Sequence, residues 1–197
     1  MQIDKNKIYT QDSYEYVNFA HITDAECESI LIWRNDDAIR KWMYNTSVID
    51  LYSHKEFVAS LKDREDRIYW LIRYCGEPIG VMNIIDIDYE NNSAELGYYM
   101  RPDYMATGLG LDFVYNILMF TLLTLKIDKL YGSVNIHNKG AYMMDVFLGF
   151  KEIGRKILAD NTEFMECYIT PQLFLADKES KNDIKLFIKY IKSYGTK

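Results

Sequence analysis

The stretch RPDYMATGLGLDFVYNIL, residues 101–118, decides how the rest of the chain is read. A short polar segment passes through Ala106-Thr107-Gly108-Leu109-Gly110 and runs directly into an apolar run. Pro102 cannot donate to a sheet ladder, so it ends the strand before it. Gly108 and Gly110 have no Cβ, which lets their amides approach a ligand closely. The first turn of the following helix leaves N–H groups unpaired at the positive end of the helix dipole. A phosphate or pyrophosphate can sit on such amides without any lysine. The same residues also make an ordinary strand-to-helix turn in which glycine serves tight packing, and G-x-G alone does not separate the two readings. The Gly-Lys-Ser/Thr ending of a P-loop and the third glycine of a dinucleotide fingerprint are both missing.

Working outward, the helix from Gly108 to about Leu125 is apolar on nearly every side and is expected to lie buried against a sheet. Upstream, IYWLIRYC (68–75) and IGVMNIIDI (79–87) read as strands separated by a hairpin turn at Gly76-Glu77-Pro78. Asn91-Asn92 turns into a further strand, SAELGYYM (93–100). Downstream come a strand at 129–136, a helix at 139–148, and strands at 150–158 and 163–170 joined by a turn at Asp160-Asn161. Nearer the start, residues 14–22 read as a strand. Thr23 and Glu26 have capping-box spacing before a helix that reaches about Trp33. A short helix is expected over 36–44, and Ser53 with Glu56 is expected to open another over roughly 54–63. The tail at 178–193 has amphipathic spacing in Ile184, Phe187, Ile188 and Ile191. The resulting order, β-α-α-β-β-β-α-β-α-β-β, predicts an α+β or mixed α/β sheet rather than a doubly wound one.

The bulk numbers narrow the function. At 197 residues the chain suits one domain, with 49% apolar and 26% charged residues. A net charge of −6 argues against non-specific nucleic-acid binding. No run approaches the ~20 apolar residues that span a bilayer, and Met1 to Lys5 begins no signal-peptide pattern. Cys27, Cys75 and Cys167 are odd in number and far apart, which predicts reduced thiols in a cytoplasmic protein. His21, His54 and His137 have no metal-ligand spacing, so no metal is expected.

About 28 residues beyond the glycine loop a strand ends at NIHNKGAYMMDVFLGF, with Asn138, Ala141, Gly149 and Phe150 at offsets 0, 3, 11 and 12. With Pro102 six residues before Gly108, this combination resembles the GCN5-related N-acetyltransferase (GNAT) superfamily over about residues 14–170. There a proline precedes Arg/Gln-x-x-Gly-x-Gly/Ala, followed by Asn-x-x-Ala/Ser on the next helix and then Gly-Phe. The resemblance implies a twisted, mostly antiparallel sheet of about seven strands, flanked by helices and splayed between the fourth and fifth, with residues 171–197 as a helical extension. It implies acetyl-CoA as cosubstrate. The pyrophosphate would lie on the amides of Met105, Ala106, Thr107, Gly108, Leu109 and Gly110, the pantetheine beside the backbone at Met100, and Asn138 on its other side. Met105 departs from the pattern, because it stands at the usual Arg/Gln position.

A second informative stretch is WRNDDAIRKWMYNTSVIDLYSHKEFVASLK, residues 33–62, where Arg34, Arg40 and Lys41 interleave with Trp33, Trp42 and Tyr44 in an otherwise acidic chain. A guanidinium can grip a phosphate bidentately and an aromatic face can stack on a sugar or base. An amphipathic helix pair with core tryptophans and solvated basic residues would look the same. Arg34-Asn35, Trp42-Met43-Tyr44, His54, Phe57 and Leu61 resemble the nucleotide-sugar N-acetyltransferases of bacterial pseudaminic acid biosynthesis. Those enzymes acetylate the 4-amino group of UDP-4-amino-4,6-dideoxy-N-acetyl-β-L-altrosamine. The resemblance implies that Arg34 and His54 meet the diphosphate or uracil end. It places Met43 and Tyr44 at the sugar, with Asn35, Trp42 and Tyr99 as further substrate contacts.

Acyl transfer to an amine needs a base for the amine and an acid for the leaving thiolate. Glu95 is the candidate base, with Ser133, Asn135 and Asp86 able to order a water. The acid position of the family, a tyrosine seven residues after the asparagine, is Asp145 here, and Tyr142 one turn earlier is a possible substitute. Two other readings stay open. One is a protein N-terminal alanine/serine acetyltransferase of the ribosomal-protein type; the other is a non-catalytic acyl-CoA-binding domain. The expected partner is a small molecule, with a homodimer possible.

Overall fold

The computed structural model describes residues 1, 3–105 and 107–176, so Ala106 and the amphipathic tail expected at 178–193 lie outside the described residues. The strands are β1 (Tyr9–Gln11), β2 (Tyr14–Asn18), β3 (Arg67–Tyr74), β4 (Glu77–Asp88), β5 (Ser93–Met100), β6 (Lys129–Asn135), β7 (Lys151–Ile157) and β8 (Glu163–Ile169). They form one sheet in the order β1-β2-β3-β4-β5-β6-β8-β7. Every neighbouring pair is antiparallel except β5 and β6, which run parallel. The helices are α1 (Asp24–Asn35), α2 (Asp37–Arg40), α3 (Leu51–Ser60), α4 (Gly110–Leu118), α5 (Lys139–Leu148) and α6 (Pro171–Leu175). Among the described residues no helix is long and apolar enough to cross a membrane.

Local chemistry explains the boundaries. The Thr23–Glu26 capping box forms as expected at the start of α1. Asn138 caps α5 by accepting from the Ala141 amide. At the other end of α5 Gly149 adopts φ 108°, while Gly149 N–H donates to Val146 and Phe150 N–H to Asp145. This is a Schellman closure, so both ends of the Asn-x-x-Ala to Gly-Phe pattern are helix caps. Several expectations need correction. The strand expected over 14–22 stops at Asn18 and gives way to a 3-10 turn at Phe19–His21. The helix expected over 36–44 is the four-residue α2. Helix α3 starts earlier than Ser53, because Asp50 is its cap and accepts from the Ser53 amide at 2.9 Å. The apolar helix expected over 108–125 is α-helical only through Leu118 and widens into a π-helix at Met119–Thr124. The β3–β4 hairpin turns on Cys75 and Gly76, both at positive φ, with Tyr74 paired to Glu77, so Pro78 belongs to a strand. The eighth strand, β1, was not anticipated.

The period-2 alternation of β3 and β4 splits the core. Trp70, Ile72, Met82 and Ile84 pack on one face with Phe113 and Ile117 of α4 and Leu148 of α5. Leu71 and Val81 pack on the other with Ile30 of α1 and Phe57 and Val58 of α3. Helix α4 is pinned to the sheet by buried polar ties: Tyr14 Oη donates to Asp112 at 2.8 Å, and Tyr16 Oη donates to the Asn116 carbonyl at 2.9 Å. The positions of both ends of α5 and of the start of α4 are therefore set before any ligand is considered.

Candidate active site

Strands β5 and β6 pair only at Ser93–Lys129, Ala94–Leu130 and Glu95–Tyr131. Beyond Glu95, β5 follows β4 out to Met100 and β6 follows β8 out to Asn135, so the facing edges part. The Arg101 amide donates to the Ile79 carbonyl at 2.8 Å on the β4 side. By the alternation of an antiparallel ladder, the main-chain groups of Leu96, Tyr98 and Met100 turn the other way, into the gap. A cleft of about 660 Å³ passes through this gap and crosses the sheet from the α5 side to the α1–α3 side.

The start of α4 follows β5 through a 3-10 turn at Pro102–Tyr104, and its described residues do not line this cleft. The Met105 and Thr107 amides are occupied, donating to the carbonyls of Pro102 and Tyr104 at 3.2 Å each. The Leu109 amide reaches Thr107 Oγ1 at 3.4 Å. Among the described residues the Gly108, Gly110 and Leu111 amides have no protein acceptor. Gly108 sits at φ 81°, and a Cβ added to Gly110 would meet nothing within 4 Å. The residues present therefore fit a diphosphate held by main chain. Asn138 lines the cleft, its Oδ1 already used as a cap.

The acceptor half is built from side chains. Arg34, Trp42, Met43, Tyr44, His54 and Tyr99 all line the cleft. Asn35 does not line it: its side chain clamps the Ile49 main chain, donating to the carbonyl at 2.8 Å and accepting from the amide at 2.9 Å. Arg34 Nη2 and Arg40 Nη1 hold the same 41–50 loop through the carbonyls of Asn45 and Thr46. Arg34 Nη1 is buried with no partner among the described residues. His54 is buried, with Nε2 3.1 Å from the Cys27 carbonyl, and burial lowers its pKa. Tyr44 reaches across the splay to pack on Phe164 of β8, ring centroids 4.5 Å apart, and its hydroxyl stands beside Ser133 and Glu95.

Glu95 is the last β5 residue paired to β6. Burial raises its carboxyl above the usual carboxylate range; Lys156 opposes the shift and Asp86 and Glu166 add to it. A second hollow of about 360 Å³, lined by Asp86, Asp88 and Glu166, meets the cleft at Glu95. On the other face of β5, Tyr98 Oη donates to Asp145 Oδ1 at 2.6 Å, and both residues line the cleft. Burial pushes the Asp145 carboxyl up to about 7 even though the Tyr98 hydrogen bond pulls the other way. The structure does not bring Tyr142 to the cleft: its hydroxyl donates to Glu152 on β7.

Among the cleft residues that sequence reasoning did not single out are Arg67, Tyr69, Asn83 and Tyr98. Tyr98 could have been found from strand parity, because it lies two residues from Met100 on the same edge. The others lie in strands that read as ordinary sheet interior, and only the placement of α1–α3 leaves them facing a cleft.

A family model described as the acetyltransferase (GNAT) domain matches residues 17–151. The chain is 31% identical over 117 residues to Acetyltransferase PseH of Campylobacter jejuni subsp. jejuni serotype O:2, covering 59% of this chain and 71% of that protein. It is 29% identical over 124 residues to Acetyltransferase PseH of serotype O:23/36 (strain 81-176), covering 63% and 76%. Among solved structures, that of Campylobacter jejuni N-acetyltransferase PseH aligns with a TM-score of 0.64 and 22% identity over 81% of this chain and 99% of that one. Spermidine N-acetyltransferase from Vibrio cholerae, in complex with CoA and spermine, aligns with a TM-score of 0.73 and 16% identity over 84% and 99%. At those identities the two structures speak for the fold. With the family model spanning both sides of the splay, the chain belongs to the GNAT family and is an acetyl-CoA-dependent N-acetyltransferase.

Proposed function

We propose that the acceptor is the amino group of a nucleotide-linked amino sugar, with UDP-4-amino-4,6-dideoxy-N-acetyl-β-L-altrosamine as the substrate to test first. The observation that carries this reading is Arg34: a guanidinium set in the cleft wall with Nη1 buried and unpartnered, among aromatic faces. Such a donor suits a diphosphate. Arg67, also in the cleft, adds to the same field. A polyamine would be met by the carboxylates gathered about Glu95 but also by the Arg34 guanidinium, whose Nη1 is unpaired among the described residues. Likeness to Acetyltransferase PseH at about 30% identity supports the same reading.

When bound, acetyl-CoA supplies the activated acetyl thioester. Gly108, Gly110 and Leu111 amides would hold its pyrophosphate, the Leu96–Met100 edge its pantetheine, and Asn138 Nδ2 would donate to it from the facing wall. Glu95 takes the proton of the attacking amine at its carboxylate. Its raised pKa brings its basicity closer to the working pH, and the acidic hollow behind it leads the proton to solvent. Asp145, buried and largely neutral below pH 7, holds a proton on the opposite face of the strand, where the thiolate departs. Odd and even positions of one strand thereby separate the base from the acid.

The test is a free-thiol release assay with acetyl-CoA against UDP-linked amino sugars, peptides beginning with alanine or serine, and spermidine. The reading expects turnover on the nucleotide sugars at a kcat/KM at least tenfold above the others. A clear preference for peptide or polyamine would replace it, and acetyl-CoA binding without thiol release on any amine would favour the non-catalytic domain.

A further inference from the structure

Glu95 stands among like charges. Asp86, Asp88 and Glu166 share the hollow behind it, and none of the described residues that line that hollow is a cation. Burial, Asp86 and Glu166 all act to hold a proton on Glu95. Basicity gained in this way has a limit, because a carboxyl that stays protonated takes nothing from an amine. A positive charge on the same face would offset the crowding.

Strand pairing shows where one sits. Directly paired residues share a face of the sheet. The pairs Glu95–Tyr131, Ser133–Glu166, Asn135–Phe164 and Phe164–Lys156 carry the face of Glu95 from β5 through β6 and β8 to Lys156 on β7. β7 is an edge strand, exposed at every residue but Gly154, so its own neighbours give a long side chain little to lie against. Tyr44 supplies the support. Lys156 Nζ lies 4.6 Å from the centroid of its ring, and the same ring packs on Phe164 with centroids 4.5 Å apart. The loop that brings Tyr44 across the parted strands is itself tied down, by Arg34 to the Asn45 carbonyl at 2.8 Å and by Arg40 to the Thr46 carbonyl at 2.6 Å. Arg67 shares the face too, but it lies beyond β4 from Glu95 and pairs with Asp66 at 3.0 Å. Of the charges acting on Glu95, Lys156 is the one that opposes its proton.

Resting on the reading of Glu95 as the base, we propose that Lys156 is a positioning residue for it, an ammonium held on the face of Tyr44 to balance the carboxylates around Glu95. Lys156 is not among the residues that line the cleft, so it acts through Glu95 rather than on the acceptor.

The test reads Glu95 directly, by ¹³C NMR titration of the full chain with carboxyl-labelled glutamate; its signal is the one missing from Glu95→Gln. In Lys156→Met the Glu95 curve should lie roughly half to one pH unit above wild type, and Lys156→Arg should restore it. Tyr44→Leu should move the curve the same way, and by less when Lys156 is already replaced by Met. In kcat/KM, Lys156→Met should lose roughly 3- to 10-fold below the acid limb and nothing above it. The acceptor's own amine titrates alike in both proteins, so that difference belongs to the enzyme. An unmoved Glu95 curve in Lys156→Met, or a loss equal at every pH, overturns the inference. A Glu95→Gln enzyme that keeps its acid limb overturns the base assignment and the inference with it, a failure told apart from the first because the titration needs no acceptor.

Discussion

The start of α4 and the cleft behind it offer a ligand different kinds of contact. The proposed cofactor half would use main chain: the Gly108, Gly110 and Leu111 amides and the parted edge of β5. The proposed acceptor half would use side chains: Arg34, Trp42, Tyr44 and His54, carried on α1, α3 and a loop tethered by Arg34, Asn35 and Arg40. A main-chain site asks for glycine and helix caps and is otherwise indifferent to sequence, which is why Met105 can stand where the family pattern has Arg or Gln. A side-chain site changes its ligand with each substitution. On this reading the first half depends on backbone geometry and the second on side-chain identity.

Glu95, where the halves meet, should give the largest kinetic effect. Glu95→Gln should lower kcat by about 10²- to 10⁴-fold with KM for acetyl-CoA little changed. Its raised pKa places the acid limb of the wild-type kcat/KM profile above the usual carboxylate range, with activity falling as pH drops through it. That limb should vanish in the variant; a persisting limb would assign the base elsewhere. Arg34→Ala should raise KM for the acceptor roughly 10- to 100-fold and spare the acetyl-CoA thermal shift. Arg34→Lys should not restore affinity, since an ammonium lacks the fork. Loss of both ligands together would blur the division between the halves.

Asp145 gives a smaller effect with a definite sign. Its folded-state pKa is raised to about 7, so the neutral form's contribution to stability is complete below about pH 4 and is lost as pH rises through 7. Asp145→Asn should match wild type in melts near pH 4 and exceed it at pH 8, by at most about 4 kcal/mol. A variant less stable than wild type at pH 8 would mean that the carboxylate is ionised and paired there. Tyr142→Phe should be the smallest change, less than about twofold in kcat, because the hydroxyl is held by Glu152 outside the cleft. A large loss would return Tyr142 to the chemistry.

These contrasts follow what could be read in the residues. Local signals carried the turn after β5 and the two ends of α5: Pro102, the Asn138 cap and the Gly149 closure are chemistry within a few residues of the chain. The strand order came through because turns and alternation are local too. β1 escaped because three edge residues make too short a pattern, and the π-helix because a run that is apolar all round shows no change of period. Asp50 was passed over as the cap because Ser53 and Glu56 satisfied the same spacing. In the acceptor half, Trp42-Met43-Tyr44 was visible as a cluster. Asn35, expected at the substrate, is held by the Ile49 main chain, and Asn83 lies across the bare Gly97 opposite it. Such relations join residues far apart in sequence and leave no periodicity.

The central claim is that main-chain amides at the start of α4 bind the cosubstrate's diphosphate. Gly110→Glu tests it most directly, because a Cβ there would meet nothing within 4 Å and an acidic residue at a helix start suits the dipole. The measurement is the melting temperature with and without acetyl-CoA. At 100-fold excess over Kd, wild type should gain about 2.7 kcal/mol, roughly 5–10 °C for a domain of this size. Gly110→Glu should melt within about 2 °C of unliganded wild type and show no gain on adding acetyl-CoA. A variant that keeps the wild-type gain would contradict the account.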